Sequence, residues 1–451
     1  MTFPGGVHPP DYKELTENCA IKPLAHPKQV AVMLSQHIGA ICKPLVAKRD
    51  TVTAGQVIGD VDAFVSAPVH SPVNGTVKDI VLQSHPVLGR EMAIVIDTDP
   101  ETDVQKVPCA DKFGADFDES QYSAEQISEA IRGAGIVGLG GAGFPTHVKV
   151  DPSAKPEKRA IIVNACECEP FITCDYRMML EWTWQFIAGV KLVRQISGCK
   201  DVFIGIEDNK PEAIKAVKEA LSQGKGCEGI EVCAVKTKYP QGGERQLIKS
   251  ILDEDVPAGG IPPMIGVLVI NVGTCAAIAE AVALGEALTH RVVTVTGDGI
   301  NEPGNFYVPV GTSVEELIEL CGGFNDEAAR VLLGGPMMGF AIADLSTPIT
   351  KTGGAITVLT KKSITKAKFD KRETACIRCG RCLDVCPANI NPTKIAHAVK
   401  YNHIDIAEQY HMGACIECGC CSYICPANIE LKGYINTGKI LLAREKKRMP
   451  K

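Results

Sequence analysis

The sequence predicts a multidomain chain of α/β plus β architecture, made of a small β module, an α/β domain, a β-grasp domain and a helical, cysteine-rich domain. Three observations predict it. The 451 residues suffice for several separate cores. Short strand-like runs between turns give way after about residue 123 to strand-like runs alternating with helical patterns, which is how an α/β layer reads. Near the end, "CIRCGRCLDVCPANI" (376–390) returns with small changes as "CIECGCCSYICPANI" (415–429).

A hydrophobic content of 45% and a charged content of 22% are those of an ordinary globular chain. A net charge of -6 leaves no excess of Lys and Arg to neutralise phosphates, which argues against general nucleic-acid binding. The basic run "AREKKRMPK" (443–451) reads as a solvated helix end, with docking or anionic-lipid contact as the alternative. The opening "MTFPGGVHPPDYKEL" has no basic segment followed by an apolar run, so no export signal is read there. The most apolar stretch, "IGVLVINVGTCAAIAEAVALG" (265–285), is interrupted by Asn271, Gly273 and Glu280. It reads as a buried strand, a glycine turn and a helix, so no transmembrane segment is expected. Twenty cysteines without an export signal read as reduced thiols or metal ligands rather than a disulfide framework.

Residues 1–115 are read as an irregular arm, rich in Pro and Gly over 1–23, followed by the β module. The runs "KPLVAKRDTVTAGQVIGDV" and "SAPVHSPVNGTVKDIV" resemble the two halves of a lipoyl- or biotinyl-like barrel-sandwich hybrid. Such carriers present a modifiable lysine at the hairpin between the halves. Here "DAFVSAPVH" (62–70) has none, so the module reads as structural or docking. A polar segment (98–120) reads as linker. Residues 116–288 form the α/β domain, with strands expected at "RAIIVNA" (159–165) and "GVLVINV" (266–272) and a helix at "EAIKAVKEAL" (212–221). Residues 289–365 run strand, strand, helix, strand, the order of a small β-grasp domain, and 366–451 carry the cassettes.

Each cassette has the spacing C-x2-C-x2-C-x3-C-P of bacterial two-cluster ferredoxins. Three thiolates of one tight loop cap one cubane, and the fourth reaches the other. One [4Fe–4S] cluster is therefore assigned to Cys376, Cys379, Cys382 and Cys425, and the other to Cys415, Cys418, Cys421 and Cys386. Zinc, the alternative, prefers two paired C-x2-C elements around one ion. Between the cassettes, Ile395, Val399, Ile406 and Tyr410 stand near helical spacing with a break at Asn402, and Cys420 is read as a non-ligand.

"GIVGLGGAGFPTHVKV" (135–150) contains Gly138, Gly140, Gly141 and Gly143, which let backbone amides approach a phosphate closely. Glycine-rich turns are also common structural devices, so the companions matter. "VNACECEP" (163–170) follows a strand, "KYPQGGERQL" (238–247) enters a helix, and "INVGTCAA" (270–277) sits at another strand-to-helix turn. These four segments in this order resemble the flavoprotein subunit of respiratory complex I, which binds FMN and NADH on a Rossmann-like domain followed by a β-grasp (SLBB) domain. The resemblance implies that Gly138, Gly140 and Gly141 line the FMN phosphate and ribityl chain, with Gly143 and Lys149 nearby. It implies further FMN contacts at Asn164, Glu167, Gly242, Asn271 and Thr274. Phe144 matches the ring that packs on the nicotinamide nucleotide, and Glu169 and Glu244 match carboxylates on the NADH side. Three positions depart from that pattern: Cys166 replaces an acid, Gly243 the first glutamate of a pair, and His147 a glycine. Each of these side chains also has a plainer reading, as core, helix cap or solvated charge. Cys166, Cys168 and Cys174 match neither zinc nor cubane spacing and read as buried free thiols.

Along its whole length the chain resembles the RnfC subunits of the Rnf complex, the ion-translocating ferredoxin:NAD oxidoreductase. The pieces are "TFPGGVHPP", "APVHSPVNGTV", "GGAGFPTHVK", "ACECEPFITCD", "YPQGGERQLI" and the two cassettes. The resemblance implies a peripheral subunit on the cytoplasmic face of the bacterial membrane, with non-covalent FMN, two [4Fe–4S] clusters and NAD(H) as substrate. Its implied partners are the integral membrane subunits, the ferredoxin-like RnfB subunit and, indirectly, ferredoxin. Two alternatives stand beside it. One is a cobalamin-reductase-like flavin and iron–sulfur protein, in which the barrel-sandwich module follows the clusters instead of leading. The other is an electron-transfer scaffold without NADH activity of its own.

Overall fold

A computed structural model of the chain describes residues 1–24, 27–100, 109–154, 156–366 and 372–448. Of the predicted linker, 101–108 lie outside the described residues, and the rest carries two short 3-10 turns, Ala110–Lys112 and Glu119–Gln121. Of the basic tail, 449–451 lie outside them, and the remainder continues the helix Leu431–Arg448.

The α/β domain is built on four parallel strands in the spatial order Ile230–Val235, Asp201–Glu207, Ala160–Ala165, Val267–Asn271. Both faces are covered by helices, so the strands are apolar throughout: Ile161, Ile162 and Val163 are fully buried. The first strand lies inside the sheet, and the chain leaves it toward one edge before returning to its other side. The strand order therefore switches between Ala160–Ala165 and Val267–Asn271, where open α/β sheets bind ligands at the carboxyl ends of their strands. Behind the sheet, helices Thr183–Ser197 and Val272–Leu284 cross closely at Gly189, where a Cβ would stand 1.8 Å from the carbonyl oxygen of Cys275. Within the apolar stretch 265–285, strand passes directly into helix. Asn271 caps the helix, and Gly273 lies in its first turn instead of forming a separate one. Among the described residues no helix is long and apolar enough to cross a membrane.

The β module closes two sheets, one of four strands and one of three, over Val30, Val52, Ile58, Val69, Val77 and Ile96. Its hairpin is not a free carrier tip. The buried Lys351 donates to the carbonyls of Pro68 (2.8 Å) and Gly135 (2.7 Å), seating the hairpin where three modules meet. Burial holds the Lys351 ammonium down to about 7.

The β-grasp domain contributes five strands to a six-stranded sheet, with helix Val314–Leu320 packed on it. The sixth strand, Ile21–Pro23, comes from the arm and runs parallel to Gly304–Pro309. The arm is thus not merely irregular. It also pairs Val7 with Tyr239, and the Gly6 amide donates to the Val385 carbonyl, so three modules are tied by one strap.

The last domain is helical, with Asn402 in the left-handed region (φ 60°) between helices Pro392–Lys400 and Ile404–Gln409. Ile395 and Val399 are buried as expected, but Ile406 and Tyr410 are exposed. The break rotates the second helix so that Ile404 and Ala407 face the core instead.

Candidate active site

Asn164 and Asn271 lie side by side in register at the carboxyl ends of the two switch-point strands. Each is fixed by its second polar atom. Asn164 Nδ2 donates to the Gly242 carbonyl (2.7 Å), and Asn271 Nδ2 donates to Asp175 Oδ2 (2.6 Å). Asn271 Oδ1 accepts from the amides of Gly273 and Thr274.

The glycine-rich loop folds over this pair. Val137 bridges Pro145, and the Gly138 amide donates to the Phe144 carbonyl (2.9 Å), closing the base with Phe144 half-buried. The Leu139 amide donates to Thr274 Oγ1 (3.0 Å) and staples the loop to the helix start. Gly140 rests on Asn271: a Cβ there would lie 2.8 Å from Nδ2, whereas one on Gly141 would meet nothing. Among the described residues the amides of Gly140, Gly141 and Ala142 face no protein acceptor. Opposite, Gly242 stands beside Asn164, just before helix Glu244–Leu252, and Lys149 pairs with Glu244 at 2.7 Å.

Free amides, an ammonium and the N-termini of two helices converge here, a donor set that fits the phosphate and ribityl chain of FMN. The structure thus brings together Gly138, Gly140, Gly141, Lys149, Asn164, Gly242, Glu244, Asn271 and Thr274. Gly143 faces elsewhere: its carbonyl accepts from the Ile38 amide of the β module, and a Cβ on it would meet Thr352.

Glu167 and Glu169 work as backbone caps. Glu167 accepts from the amides of Asp175 (2.7 Å) and Tyr176 (3.3 Å), starting helix Cys174–Glu181. Glu169 accepts from Met338 (2.7 Å) and Met337 (3.2 Å) and joins the α/β domain to the β-grasp domain. Burial pushes each carboxyl up to about 7. Cys166 and Cys174 are buried, and burial raises their thiols well above the ordinary range. Cys174 gathers with Glu167 and Asp175, but both carboxylates are already committed, to helix amides and to Asn271.

The sequence reading missed Lys13 and Asp175. Lys13 is buried, and its ammonium donates to the carbonyls of Glu167 (3.0 Å) and Glu169 (3.1 Å) and to that of Ile172. No side-chain motif signals a lysine that binds carbonyls. Asp175 stands four residues before Met179 in a run that reads as plain helix.

The two cassettes share a backbone path. Gly380 and Gly419 are both left-handed, and the Arg378 and Glu417 amides donate to the Cys376 and Cys415 sulfurs at 3.4 Å in each case. Cys386 lines one hollow with Cys415, Cys418 and Cys421, while Cys425 stands near enough to Cys382 for their thiolates to repel. Four thiols per site, shared crosswise, fit two cubanes. Cys420 is buried against the Tyr239 carbonyl. The first site, with Cys379 exposed, is the outer one; the second abuts the α/β domain, where Tyr239 Oη donates to the Cys418 carbonyl (2.8 Å).

Comparison with known proteins agrees with this layout. Four family models match in order: the RnfC barrel sandwich hybrid domain (1–101), the Nuo51 FMN-binding domain (131–280), the SLBB domain (292–341) and the 4Fe-4S dicluster domain (359–429). The C subunit of the proton-translocating ferredoxin:NAD(+) oxidoreductase complex of Clostridium ljungdahlii is 43% identical over 88% of this chain and 84% of its own. The chain belongs to the RnfC family, the C subunits of these complexes. The C subunit of the Na(+)-translocating complex of Acetobacterium woodii is 39% identical over 90% of this RnfC-family chain and 89% of its own. The C subunit of the ion-translocating oxidoreductase complex of Vibrio cholerae is 38% identical over 90% of this chain, which spans 51% of that relative. Among solved structures, an NAD+-reducing [NiFe]-hydrogenase in the H2-reduced state shares the fold, with a TM-score of 0.52 and 17% identity over 76% of this chain and 64% of its own.

Proposed function

We propose that this RnfC-family protein exchanges hydride between NAD(H) and a non-covalent FMN and passes single electrons through two [4Fe–4S] clusters. The observation that carries the reading is a four-residue stretch of backbone, Tyr239 to Gly242. At one end Gly242 lines the switch-point cleft beside Asn164, and at the other Tyr239 holds the carbonyl of Cys418. Cleft and inner cluster site are thereby built on one piece of chain.

A bound FMN supplies the conversion between a two-electron hydride and single electrons. The chain's part is binding and orientation. The amides at Gly140 and Gly141 and the Lys149 ammonium, which pairs with Glu244, would hold the phosphate. Asn164 and Asn271, each fixed by a second bond, present polar atoms in set directions. Phe144 and Glu244 border the side left for the dinucleotide, and Glu169 holds the β-grasp domain against that wall.

We place the protein peripherally on the cytoplasmic face of the membrane, against integral membrane subunits and the ferredoxin-like RnfB subunit, with ferredoxin served indirectly. The relatives' names as complex subunits support this. One is named for protons and the other for Na(+), at 43% and 39% identity, which supports an ion choice made in other subunits.

The test is anaerobic purification followed by iron and flavin assay and EPR. About eight irons, one FMN and cluster signals on adding NADH are expected. Cluster signals with dithionite but none with NADH, in protein shown to hold FMN, would refute the hydride step.

A further inference from the structure

The turn that follows strand Ala160–Ala165 rests on two buried lysines, Lys13 and Lys210, neither of which lines the phosphate end of the cleft. Lys210 Nζ donates to the Cys166 carbonyl (3.0 Å), to Glu207 Oε2 (3.0 Å) and to Asn209 Oδ1 (3.1 Å). Lys13 Nζ, from the arm, donates to the carbonyls of Glu167 (3.0 Å) and Glu169 (3.1 Å) and to that of Ile172. Three acceptors around each nitrogen match the three N–H groups of an ammonium. Burial works against both charges, and at Lys210 the paired Glu207 carboxylate more than restores the charge. The other carboxyls here are Glu167 and Glu169, which burial pushes up to about 7, and Asp175, which is bound to Asn271.

The peptide groups so held have a second face. Lys210 binds the carbonyl of the peptide whose N–H belongs to Glu167, and Lys13 binds the carbonyl of the one whose N–H belongs to Cys168. In a trans peptide the N–H and C=O point in opposite directions, so both amides point away from the lysines. Neither has a protein acceptor among the described residues. Glu167 is left-handed (φ 43°), and such a residue among successive amides draws them to one side, as in an anion-binding nest. The turn is half-buried at 167–169 and borders the cleft. The Gly242 amide donates to Cys168 Sγ (3.2 Å), and Asn164 Oδ1 accepts from the Cys166 amide (3.3 Å).

We propose that this turn is an anion hole for the reduced flavin ring, with Lys13 and Lys210 as positioning residues that strengthen its two free amides as donors. The proposal rests on the FMN reading above and deepens it. The phosphate end belongs to Gly140, Gly141 and Lys149, and the ring end is the one from which electrons leave. Cys168 packs against the small apolar cluster of Val7, Tyr239, Cys418 and Cys420, which puts the ring end at the turn. Hydride transfer breaks a C–H bond of NADH and forms an N–H bond on the ring with the same two electrons. With no further proton taken up, the ring gains one negative charge. Donors fixed beforehand and backed by positive charge stabilise it without rearranging.

The test uses the full holo chain and compares Lys13→Met, and separately Lys210→Met combined with Glu207→Gln, with Lys13→Arg. The double change leaves no unpaired carboxylate, and it keeps the test readable if Lys13→Met does not fold. Three quantities are measured: the affinity for oxidised FMN, the flavin midpoint potential in a dithionite titration, and the affinity for sulfite. Sulfite bonds to the flavin ring through its sulfur lone pair and leaves one negative charge on the ring. None of the three needs NADH, so a protein that holds FMN but is not reduced by NADH still gives an answer. Both charge-removing variants are expected to bind oxidised FMN as before and sulfite about ten-fold more weakly. Their flavin potential should fall by about 30 mV, the two-electron equivalent of ten-fold. Lys13→Arg, which keeps the charge, should retain most of both. Equal weakening of oxidised and reduced FMN, with potential and sulfite affinity unchanged, would show that the lysines only shape the turn and would overturn the proposal. So would a potential that moves as far in Lys13→Arg as in Lys13→Met.

Discussion

At the third position of the inner cassette, Glu417 is held by Lys439, and at the sixth, Cys420 is buried under Tyr239. At the same positions of the outer cassette, Arg378 and Arg381 reach into water. Both loops nevertheless turn through left-handed glycines and point the same amide at the first sulfur. Cysteine spacing and glycine thus set the ligand cage, and the residues between the cysteines record what stands next to it. One cage faces the flavin cleft, and the other faces outward.

The comparison breaks most severely if the fourth ligands are not crossed. Cys386 belongs to the outer cassette by sequence but lines the inner hollow. Cys386→Ser is expected to remove the inner cluster and Cys425→Ser the outer one, each lowering iron from about eight to about four per chain. Loss of electron flow from NADH to any cluster should follow the first change, since it empties the site nearest the cleft. The second should leave the inner cluster reducible. If EPR shows the opposite assignment, the inner and outer roles are wrong.

A second way to sharpen the contrast separates both cassettes from the cleft. A Cβ on Gly140 would press on Asn271, while one on Gly141 would enter open space. Gly140→Ala is expected to weaken FMN binding about ten-fold, or ~1.4 kcal/mol, with little change for Gly141→Ala. Both variants should keep their iron and respond to dithionite alike. Equal flavin loss in the two would show that the loop does not sit on Asn271.

Glu169 gives the inner side a titrating group. Burial raises its carboxyl from 4.5 to about 7 in the folded protein, so between those values the native state binds a proton that the unfolded chain has released. The stability that Glu169 contributes therefore falls as pH rises through that window. Glu169→Gln should flatten part of that slope. Part will persist, because Glu167 is raised to about 7 in the same direction. Melting midpoints of the anaerobic protein between pH 5 and 8 read this directly, and an unchanged slope would mean Glu169 is charged throughout.

How much of this was legible depended on how local the signal was. The cluster cysteines could be assigned because a loop ligating a cubane is encoded by its own spacing. Asn164 and Asn271 were named only through the resemblance of the four segments to the complex I flavoprotein subunit, because an apolar strand run does not itself mark an asparagine near its end as a contact. Glu169 had a helix-cap reading beside the one the resemblance implied, but the amides it accepts from lie 168 and 169 residues away and were not legible. The arm was illegible for a related reason: Lys13 and Ile21–Pro23 are specified by distant backbone, which leaves no periodicity in their own segment. The break at Asn402 was legible, but the phase of the helix after it was not, because helical spacing does not carry across a left-handed residue.

The smallest effect concerns the joint that distinguishes the inner cassette. Tyr239 is buried, and its hydroxyl donates to the Cys418 carbonyl from the α/β side. Tyr239→Phe keeps the ring in its pocket and removes one hydrogen bond, leaving the carbonyl of a cluster ligand without that donor. The expected cost is about 1 kcal/mol, because a neutral hydrogen bond in folding replaces one to water. It should appear as a small drop in the melting midpoint with iron, flavin and the outer EPR signal unchanged, while the inner signal shifts slightly. Among the described residues no tyrosine donates to a backbone carbonyl of the outer cassette in this way. A variant in which both cluster signals change together would mean that the two sites are coupled through the helical domain, and that the joint at Tyr239 does not act on the inner cage alone.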